Sequence, residues 1–143
     1  MSLSSVPDSL PLYRLEIPSR SQTEFIDITS RISSLISQSG VNSGLCQVFV
    51  PHTTAGLTIN ENADPDVITD IKAQLERIVP AVTPFLHSEG NSAAHVKTSL
   101  MGSSLNLIIE EGRLLLGTWQ GIYLAEFDGP RRRTVYIKVL KEN

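Results

Sequence analysis

The last forty residues are dominated by strand-forming segments separated by very short turn sequences. Glu110-Glu111-Gly112 joins the first pair of segments and Asp128-Gly129-Pro130 joins the second pair. Both junctions resemble β-hairpin turns, so we expect mostly antiparallel sheet in this part of the chain. The four segments are Leu105 to Ile109, Leu114 to Leu116, Ile122 to Phe127 and Thr134 to Leu140.

The first hundred residues mix strand and helix patterns. Apolar residues at helical spacing predict a helix after Thr29 or Asp27 that ends at Gly40, a second helix from Asp64 to Val79, and a third that begins at Asn91. Interspersed helices and hairpins favour an α+β fold over a regular parallel α/β fold. The predicted strands are Leu12 to Ile17, Glu24 to Ile28, Leu45 to Val50 and Ala55 to Ile59.

Size and composition exclude several classes of protein. A chain of 143 residues fits a single domain, which we place at residues 11–143 after a flexible N-terminal tail at residues 1–10. The net charge of −3 argues against a nucleic-acid partner, and the single cysteine, Cys46, excludes an internal disulfide. Cys46 alternates with Val48 and Val50, as a small buried residue would. No apolar run is long enough for a membrane span, so we expect a soluble, cytoplasmic protein with no membrane partner.

The three histidines, His52, His87 and His95, each lie at a predicted junction between elements. His95 falls in the first turns of the helix after Asn91, where the positive helix end favours neutral imidazole. Three neutral imidazoles and a water form an open zinc site, so all three are candidate metal ligands. The alternative is that each is a structural or surface histidine, because no short motif forces them together.

Acidic residues cluster around the start of the second helix. Asp66 and Asp70 share a helix face, and Glu61 lies before the helix. Such carboxylates could bind Mg²⁺ or orient a histidine, while capping is the simpler role for Asp64. A divalent metal, Zn²⁺ or Mg²⁺, is therefore a candidate cofactor.

Hydroxyls, an amide and cations near helix starts suggest a phosphate site. The candidates are Thr53, Thr54 and Asn91, with cationic Lys97 and Arg131. No phosphate-loop motif supports them. The run Arg131-Arg132-Arg133 could also be a solvated hairpin end, and alternation directs Arg131 and Arg133 to one face and Arg132 to the other.

The tryptophan of the chain lies in Gly117-Thr118-Trp119-Gln120-Gly121. Trp119 could pack at a core edge or stack on a flat ring, and flanking glycines permit a close approach of the backbone.

Three strings occur in this order along the chain: PHTTAGLTINENADPDV, HSEGNSAAHVKTSLMG and GRLLLGTWQGIYLAEFDGPRRR. Together they resemble the YjbQ-like family, also called the secondary thiamine-phosphate synthase enzyme family, over roughly Leu12 to Leu140. The resemblance implies an α+β fold with sheets packed as a sandwich or barrel-like unit, and a homotrimer with sites near subunit boundaries. It implies a site lined by His52, Glu61, His87, Asn91, His95, Trp119, Gln120 and Arg131.

Two functions from different classes follow. The first is an enzyme acting on a phosphorylated heterocycle, with thiamine-phosphate synthesis as a secondary activity. His52, His95, Glu61 and Arg131 are its candidate catalytic residues, and Thr53, Thr54, Asn91, Lys97, Trp119 and Gln120 its candidate substrate-binding residues. The second is a non-catalytic metal- or ligand-binding homotrimer that uses the three histidines. A simpler alternative is that the polar junctions only order loops and subunit contacts.

Overall fold

A computed structural model of the chain describes residues 6, 10–82, 85–87 and 90–142. In chain order its elements are β1 (Tyr13–Pro18), β2 (Glu24–Asp27), α1 (Thr29–Ser39), β3 (Gly44–Phe49), β4 (Ala55–Glu61), α2 (Pro65–Ile78), α3 (Ser92–Met101), β5 (Ser104–Glu110), β6 (Arg113–Leu114), β7 (Gln120–Glu126) and β8 (Arg132–Lys141).

The strands form two sheets in which neighbouring strands are antiparallel. One sheet has the order β1-β8-β3-β5-β6 and the other has the order β2-β7-β4. The sheets curl around a shared core as a half-barrel. The predicted single-domain α+β fold, with mostly antiparallel sheets and two or three helices, is confirmed.

The core side of the larger sheet follows the alternation of each strand. In β3, Cys46 and Val48 are buried whereas Gln47 and Phe49 are exposed. Burial raises the pKa of the Cys46 thiol to about 11, so this cysteine is a small core residue as predicted. Buried partners of these strand residues include Ile32 and Ile36 of α1, Leu57 of β4, Ile122 and Leu124 of β7, and Val135 and Ile137 of β8.

Of the three helices in the described residues, two have ends that follow the local sequence. The Asp64 carboxylate accepts a hydrogen bond from the Asp66 N–H at 2.9 Å, and Pro65 occupies the first turn of α2. Helix α1 stops at Gly40, whose φ of 74° lies in the left-handed region. Asn91 was predicted to cap α3, but its side chain makes no capping hydrogen bond because it binds Asp128 instead.

Helix α3 packs closely against β4, and Gly56 is the reason. A Cβ atom at Gly56 would lie 2.7 Å from the Gly102 carbonyl oxygen and 2.9 Å from Met101 Cβ. The Leu57 N–H also donates to the Gly102 carbonyl at 3.0 Å. This close contact ties the C-terminal end of α3 to β4.

One predicted hairpin is correct and the other is wrong. Glu110-Glu111-Gly112 joins the paired strands β5 and β6, although β6 is shorter than the predicted Leu114 to Leu116 segment. Asp128-Gly129-Pro130 instead carries the chain from β7 in one sheet to β8 in the other. Strand β7 pairs with β2 and β4, so tertiary pairing overrides the local turn signal.

Most of the predicted N-terminal tail lies outside the described residues. Of its described residues, Leu10 is buried against the core, and its carbonyl oxygen accepts from Lys138 Nζ at 3.3 Å. Among the described helices, none has the length and apolar character needed to cross a bilayer.

Candidate functional site

A polar cleft of about 440 Å³ opens where three distant segments meet. They are the loop between β3 and β4, the segment around the start of α3, and the connection from β7 to β8. We call it the His52 cleft. It is lined by Pro51, His52, Thr53, Thr54, His87, Asn91, His95, Asp128, Arg131 and Arg133. The structure therefore brings all three histidines together with predicted residues Thr53, Thr54, Asn91 and Arg131.

His52 is held by the backbone of β8. Its Nε2 atom accepts a hydrogen bond from the Thr134 N–H at 3.0 Å. A backbone N–H can only donate, so the neutral ring carries its proton on Nδ1. Burial, and then the nearby charge of Arg133, lower the pKa of His52. His52 is therefore suited to act as an uncharged hydrogen-bond donor through Nδ1.

Asp128 connects two other residues of the cleft. Its Oδ2 atom accepts from Asn91 Nδ2 at 2.9 Å and from Arg131 Nη2 at 3.0 Å. Its carbonyl oxygen accepts from Arg131 Nε at 2.8 Å. The Arg131 side chain is 55% exposed, so the guanidinium is oriented by Asp128 and remains open to the cleft.

A buried ion pair lies beneath these groups. Both oxygens of Glu126 accept hydrogen bonds from Arg133, and Arg133 Nη2 also donates to Thr54 Oγ1 at 2.8 Å. Glu126 further accepts from the Ser19 hydroxyl at 2.7 Å and from the Asp128 N–H at 3.0 Å. Burial acts to raise the pKa of Glu126, but the bonds from Arg133, Asp128 and Ser19 outweigh it and the net pKa is lowered. The ionised pair thus holds Thr54 on one side of the cleft and Asp128 on the other.

His87 and His95, the latter in the first turn of α3, form one wall of the cleft. Their ring centroids are 5.3 Å apart in an edge-to-face arrangement, and His87 Nδ1 shares a hydrogen bond with the Ser92 hydroxyl at 3.1 Å. Both histidines also line an adjoining, more apolar cavity of about 550 Å³. Its remaining described residues are Phe85, Leu86, Ser92 and Val96.

The residues of one chain do not fit a metal ion as they are arranged. Within the described ranges, no three His, Cys, Asp or Glu side chains are grouped so that they could hold an ion. In addition, His52 Nε2 is occupied by a backbone N–H, and its Nδ1 carries the proton. Metal ligation by His52, His87 and His95 stays a prediction.

Three other predicted residues lie at the opposite end of β4, and we call them the Trp119 patch: Glu61, Trp119 and Gln120. Glu61 is the last residue of β4 and pairs with Gln120 of β7. Trp119 is 62% exposed, so it does not pack in the core. At about 3.4 Å per strand residue, the patch lies roughly 20 Å from the His52 cleft of the same chain.

Lys97 is also absent from the cleft. It is buried, and its Nζ atom donates to Glu76 Oε1 at 2.9 Å and Oε2 at 3.1 Å. This pair links α3 to α2. Substrate binding by Lys97 stays a prediction.

Sequence reasoning missed Asp128, Glu126 and Thr134 as parts of the site. The only available signal was the position of Asp128 beside an arginine run, which was interpreted as a hairpin turn. The prediction that Arg131 and Arg133 lie on one face and Arg132 on the other is confirmed. Arg131 and Arg133 line the cleft, whereas exposed Arg132 does not.

Comparisons with known proteins agree with one another. A family model described as UPF0047 protein YjbQ-like matches residues 13–142. UPF0047 protein MJ1081 of Methanocaldococcus jannaschii is 53% identical over 129 residues, which cover 90% of this chain and 94% of that protein. UPF0047 protein YugU of Bacillus subtilis is 49% identical over 130 residues, covering 90% and 98%.

Solved structures show the same fold. A YjbQ/UPF0047 family protein from Clostridium acetobutylicum has a TM-score of 0.88 and 53% identity, covering 90% of this chain and 99% of that one. A protein of unknown function from Sulfolobus solfataricus has a TM-score of 0.88 and 30% identity, covering 92% and 97%. The chain therefore belongs to the YjbQ-like UPF0047 protein family.

Proposed function

We propose that the His52 cleft is the active site of an enzyme that acts on a phosphorylated heterocycle. The observation that carries the proposal is the meeting of an oriented, exposed arginine with three imidazoles in one cleft. Arg131 Nη1 has no hydrogen-bond partner among the described residues, and Arg131 lines the same cleft as His52, whose Nδ1 carries a proton. These donors suit a phosphate or pyrophosphate group.

The adjoining cavity supplies a place for the rest of the substrate. It shares His87 and His95 with the His52 cleft and exposes Phe85 and Val96. A phosphate bound by Arg131 would therefore leave a ring free to contact imidazole and apolar side chains.

Thiamine-phosphate synthesis is the specific reaction that we propose as a secondary activity. The carbon–oxygen bond to pyrophosphate breaks, and its electron pair leaves with pyrophosphate. The thiazole nitrogen then donates its lone pair to the pyrimidine methylene carbon. Arg131 and neutral His52 would stabilise the leaving anion, and the cleft would hold the two rings in line.

Arg131→Ala tests the proposal, with Arg132→Ala as a matched control because Arg132 is the neighbouring exposed arginine outside the cleft. Pyrophosphate release is measured with a pyrimidine diphosphate and a thiazole phosphate, and phosphate release is measured with a panel of phosphorylated heterocycles. Loss of one such donor is expected to lower turnover by about 100-fold. Equal turnover in the two variants, or no turnover of any substrate by the unmodified protein, would contradict the proposal.

Self-association as a homotrimer belongs to the same proposal. The outer face of the larger sheet exposes Leu45, Ile108 and Leu140, and Leu45 lies opposite both of the others across neighbouring strands. An exposed apolar row of this kind is typical of an interface. A neighbouring copy could bring its Trp119 patch to the His52 cleft, which one chain cannot do. A mass of one subunit by light scattering at micromolar concentration would contradict self-association.

The alternative function is a non-catalytic homotrimer that binds a metal ion. The adjacent rings of His87 and His95 favour it, because a second chain could add the missing ligands. It predicts stoichiometric metal in tag-free protein and a lower melting temperature after chelation, without turnover. Less than about one metal ion per three chains would eliminate it.

A further inference from the structure

Helix α2 leaves most of its apolar stripe uncovered. Of its fourteen residues, all of which the structure describes, Leu75 alone is buried, and Ile78 is 65% exposed. A cavity of about 350 Å³ follows this stripe and is lined by Val67, Asp70, Ile71, Gln74, Leu75 and Ile78. A surface helix normally buries such a stripe, so α2 has the character of a helix that packs against another molecule.

The outer face of the larger sheet is a second uncovered apolar surface. Beside the exposed apolar row described above, Phe49 of β3 lies opposite Tyr136 of β8 and forms a second apolar row with it. Gln47 and Lys138, also opposite each other, lie between the two rows. Among the described residues of these three rows in β5, β3 and β8, Lys138 alone is charged.

The two surfaces carry charges of opposite sign. Asp70 is the charged residue among the six that line the α2 stripe, and Lys138 is the charged residue of the sheet rows. Contact between two copies of the same surface would bring two Asp70 carboxylates, or two Lys138 ammonium groups, into one interface. Like charges across an interface are unfavourable. The charges therefore favour contact between the α2 stripe of one copy and the sheet of another.

The exposed face of α3 is a poorer partner for the α2 stripe. It presents Val96 and Leu100, four residues apart. The lysine of α3, Lys97, is buried and bound to Glu76. This lysine is consequently not available to Asp70 of another copy.

The lengths of the two surfaces agree, and both lead toward the proposed active site. Helix α2 has 14 residues and extends roughly 20 Å, about the length of β8 from Thr134 to Leu140. The Thr134 N–H binds His52, so this face of the sheet ends at the His52 cleft. Glu61 of the Trp119 patch lies four positions before the start of α2. A neighbouring α2 with its first turn toward Thr134 therefore brings its Trp119 patch toward the cleft.

We infer that α2 of one copy packs against the outer sheet of the next copy, with Asp70 beside Lys138. The inference rests on the self-association that forms part of the proposed function, and it names the surfaces that meet. Because the two surfaces differ, every copy offers both of them. Contacts of this head-to-tail kind generate a closed ring such as a trimer.

Reversal of each charge tests the contact, with sedimentation equilibrium over a range of protein concentrations as the measurement. Asp70→Lys and Lys138→Glu should each weaken association at least about tenfold, because like charges then face each other. The double variant restores opposite charges and should recover most of the affinity. Lys72→Glu is the control, since Lys72 lies roughly 200° around the helix from Asp70 and should leave association unchanged.

Chemical cross-linking identifies the two surfaces directly. The thiol of Cys46 is buried, so it does not compete for the reagent. With a short bismaleimide, a chain that carries both Asp70→Cys and Lys138→Cys should form covalent species up to the trimer, whereas each single variant should remain a single chain. Covalent dimers of Asp70→Cys alone would show that two α2 helices meet, and dimers of Lys138→Cys alone would show that two sheets meet. Either result would contradict the inference.

The outcomes separate the inference from the proposed function. Unmodified protein that sediments as a single chain would contradict both the homotrimer and this contact. A trimer that neither charge reversal weakens, and in which the two cysteines do not cross-link, would contradict the contact alone. Turnover is measured separately with Arg131→Ala, so it decides the enzymatic proposal whichever surfaces meet. Cross-linking decides the matter even when the trimer is too tight to dissociate, and thermal unfolding shows whether each variant is folded.

Discussion

The two ends of β4 carry polar residues that are held in different ways. In the His52 cleft, bonds join residues far apart in the chain, such as His52 to Thr134 across 82 positions and Asn91 to Asp128 across 37. In the Trp119 patch, Gln120 Oε1 accepts from the Gly117 N–H only three positions away at 2.8 Å. The cleft is therefore organised within one chain, whereas the patch presents an exposed tryptophan that one chain does not cover.

This difference indicates what each region can do alone. Side chains fixed by hydrogen bonds between distant segments are ready to bind a ligand without further ordering. An exposed aromatic ring contributes little to binding until a ligand or another chain covers it. Mutations in the two regions should consequently have separate effects on stability and on binding.

The largest effect is expected from the ion pair beneath the cleft. Arg133→Met leaves Glu126 buried and unpaired, and breaking a buried pair in this way costs about 3–5 kcal/mol of unfolding free energy. Urea unfolding followed by circular dichroism measures it. Arg14→Met, at the exposed Arg14–Glu16 pair, is the control and should leave the midpoint nearly unchanged. A similar urea midpoint for both variants would show that the Arg133–Glu126 pair does not stabilise the fold.

Asp128→Ala should separate binding from stability. It removes the acceptor shared by Asn91 and Arg131, so we expect about tenfold weaker phosphate binding together with a loss of about 1–2 kcal/mol in unfolding free energy. Calorimetric titration and urea unfolding give the two quantities. Asp128→Asn is the conservative comparison and should recover part of the affinity. Unchanged phosphate affinity in Asp128→Ala would exclude a positioning role for this residue.

The pH dependence of His52 is a smaller effect with a definite sign. The pKa of His52 is lowered in the fold. The hydrogen bond from Thr134 to neutral His52 therefore stabilises the fold fully above the ordinary histidine pKa of about 6.5. This stabilisation is lost as the pH falls through the lower pKa of the folded state. An NMR titration that follows the His52 ring and the Thr134 amide should give a shared midpoint below that of the urea-unfolded protein. A midpoint at or above the unfolded value would contradict the neutral-donor role.

The smallest effect on stability is expected from the Trp119 patch. Trp119→Ala and Glu61→Ala should each change the unfolding free energy of a single chain by less than about 0.5 kcal/mol, because both positions lie outside its core. If the patch completes a neighbour's cleft, mixing refolded Glu61→Ala and Arg131→Ala chains should restore activity at about a quarter of the sites of a cyclic trimer. No recovery in mixed trimers would place the patch outside the active site.

Much of the fold could be predicted from local pattern. Alternation identified β3 and β8, Asp64 and Pro65 identified the start of α2, and Gly40 identified the end of α1. These features depend on residues within one turn or one strand of each other, so sequence order is enough to find them. The predicted hairpin at Asp128-Gly129-Pro130 was wrong because strand pairing is decided by partners elsewhere in the chain.

The sequence predicted which residues line the site better than it predicted the hydrogen bonds between them. The three histidines and Arg131 were identified as candidates and do line one cleft. Asp128 was missed, and Asn91 was given a capping role, because a bond between residues 37 positions apart leaves no periodic signal.

The sequence by itself determined the secondary structure, the antiparallel character of the sheets and membership of the family, since each follows from local propensity or from short strings. Only the tertiary structure decided that Lys97 binds Glu76, that Asp128 holds Asn91 and Arg131, and that the Trp119 patch lies at the far end of β4. The physical reason is that these contacts arise from the way two curled sheets and α3 pack around one core. Packing of that kind depends on the whole chain at once.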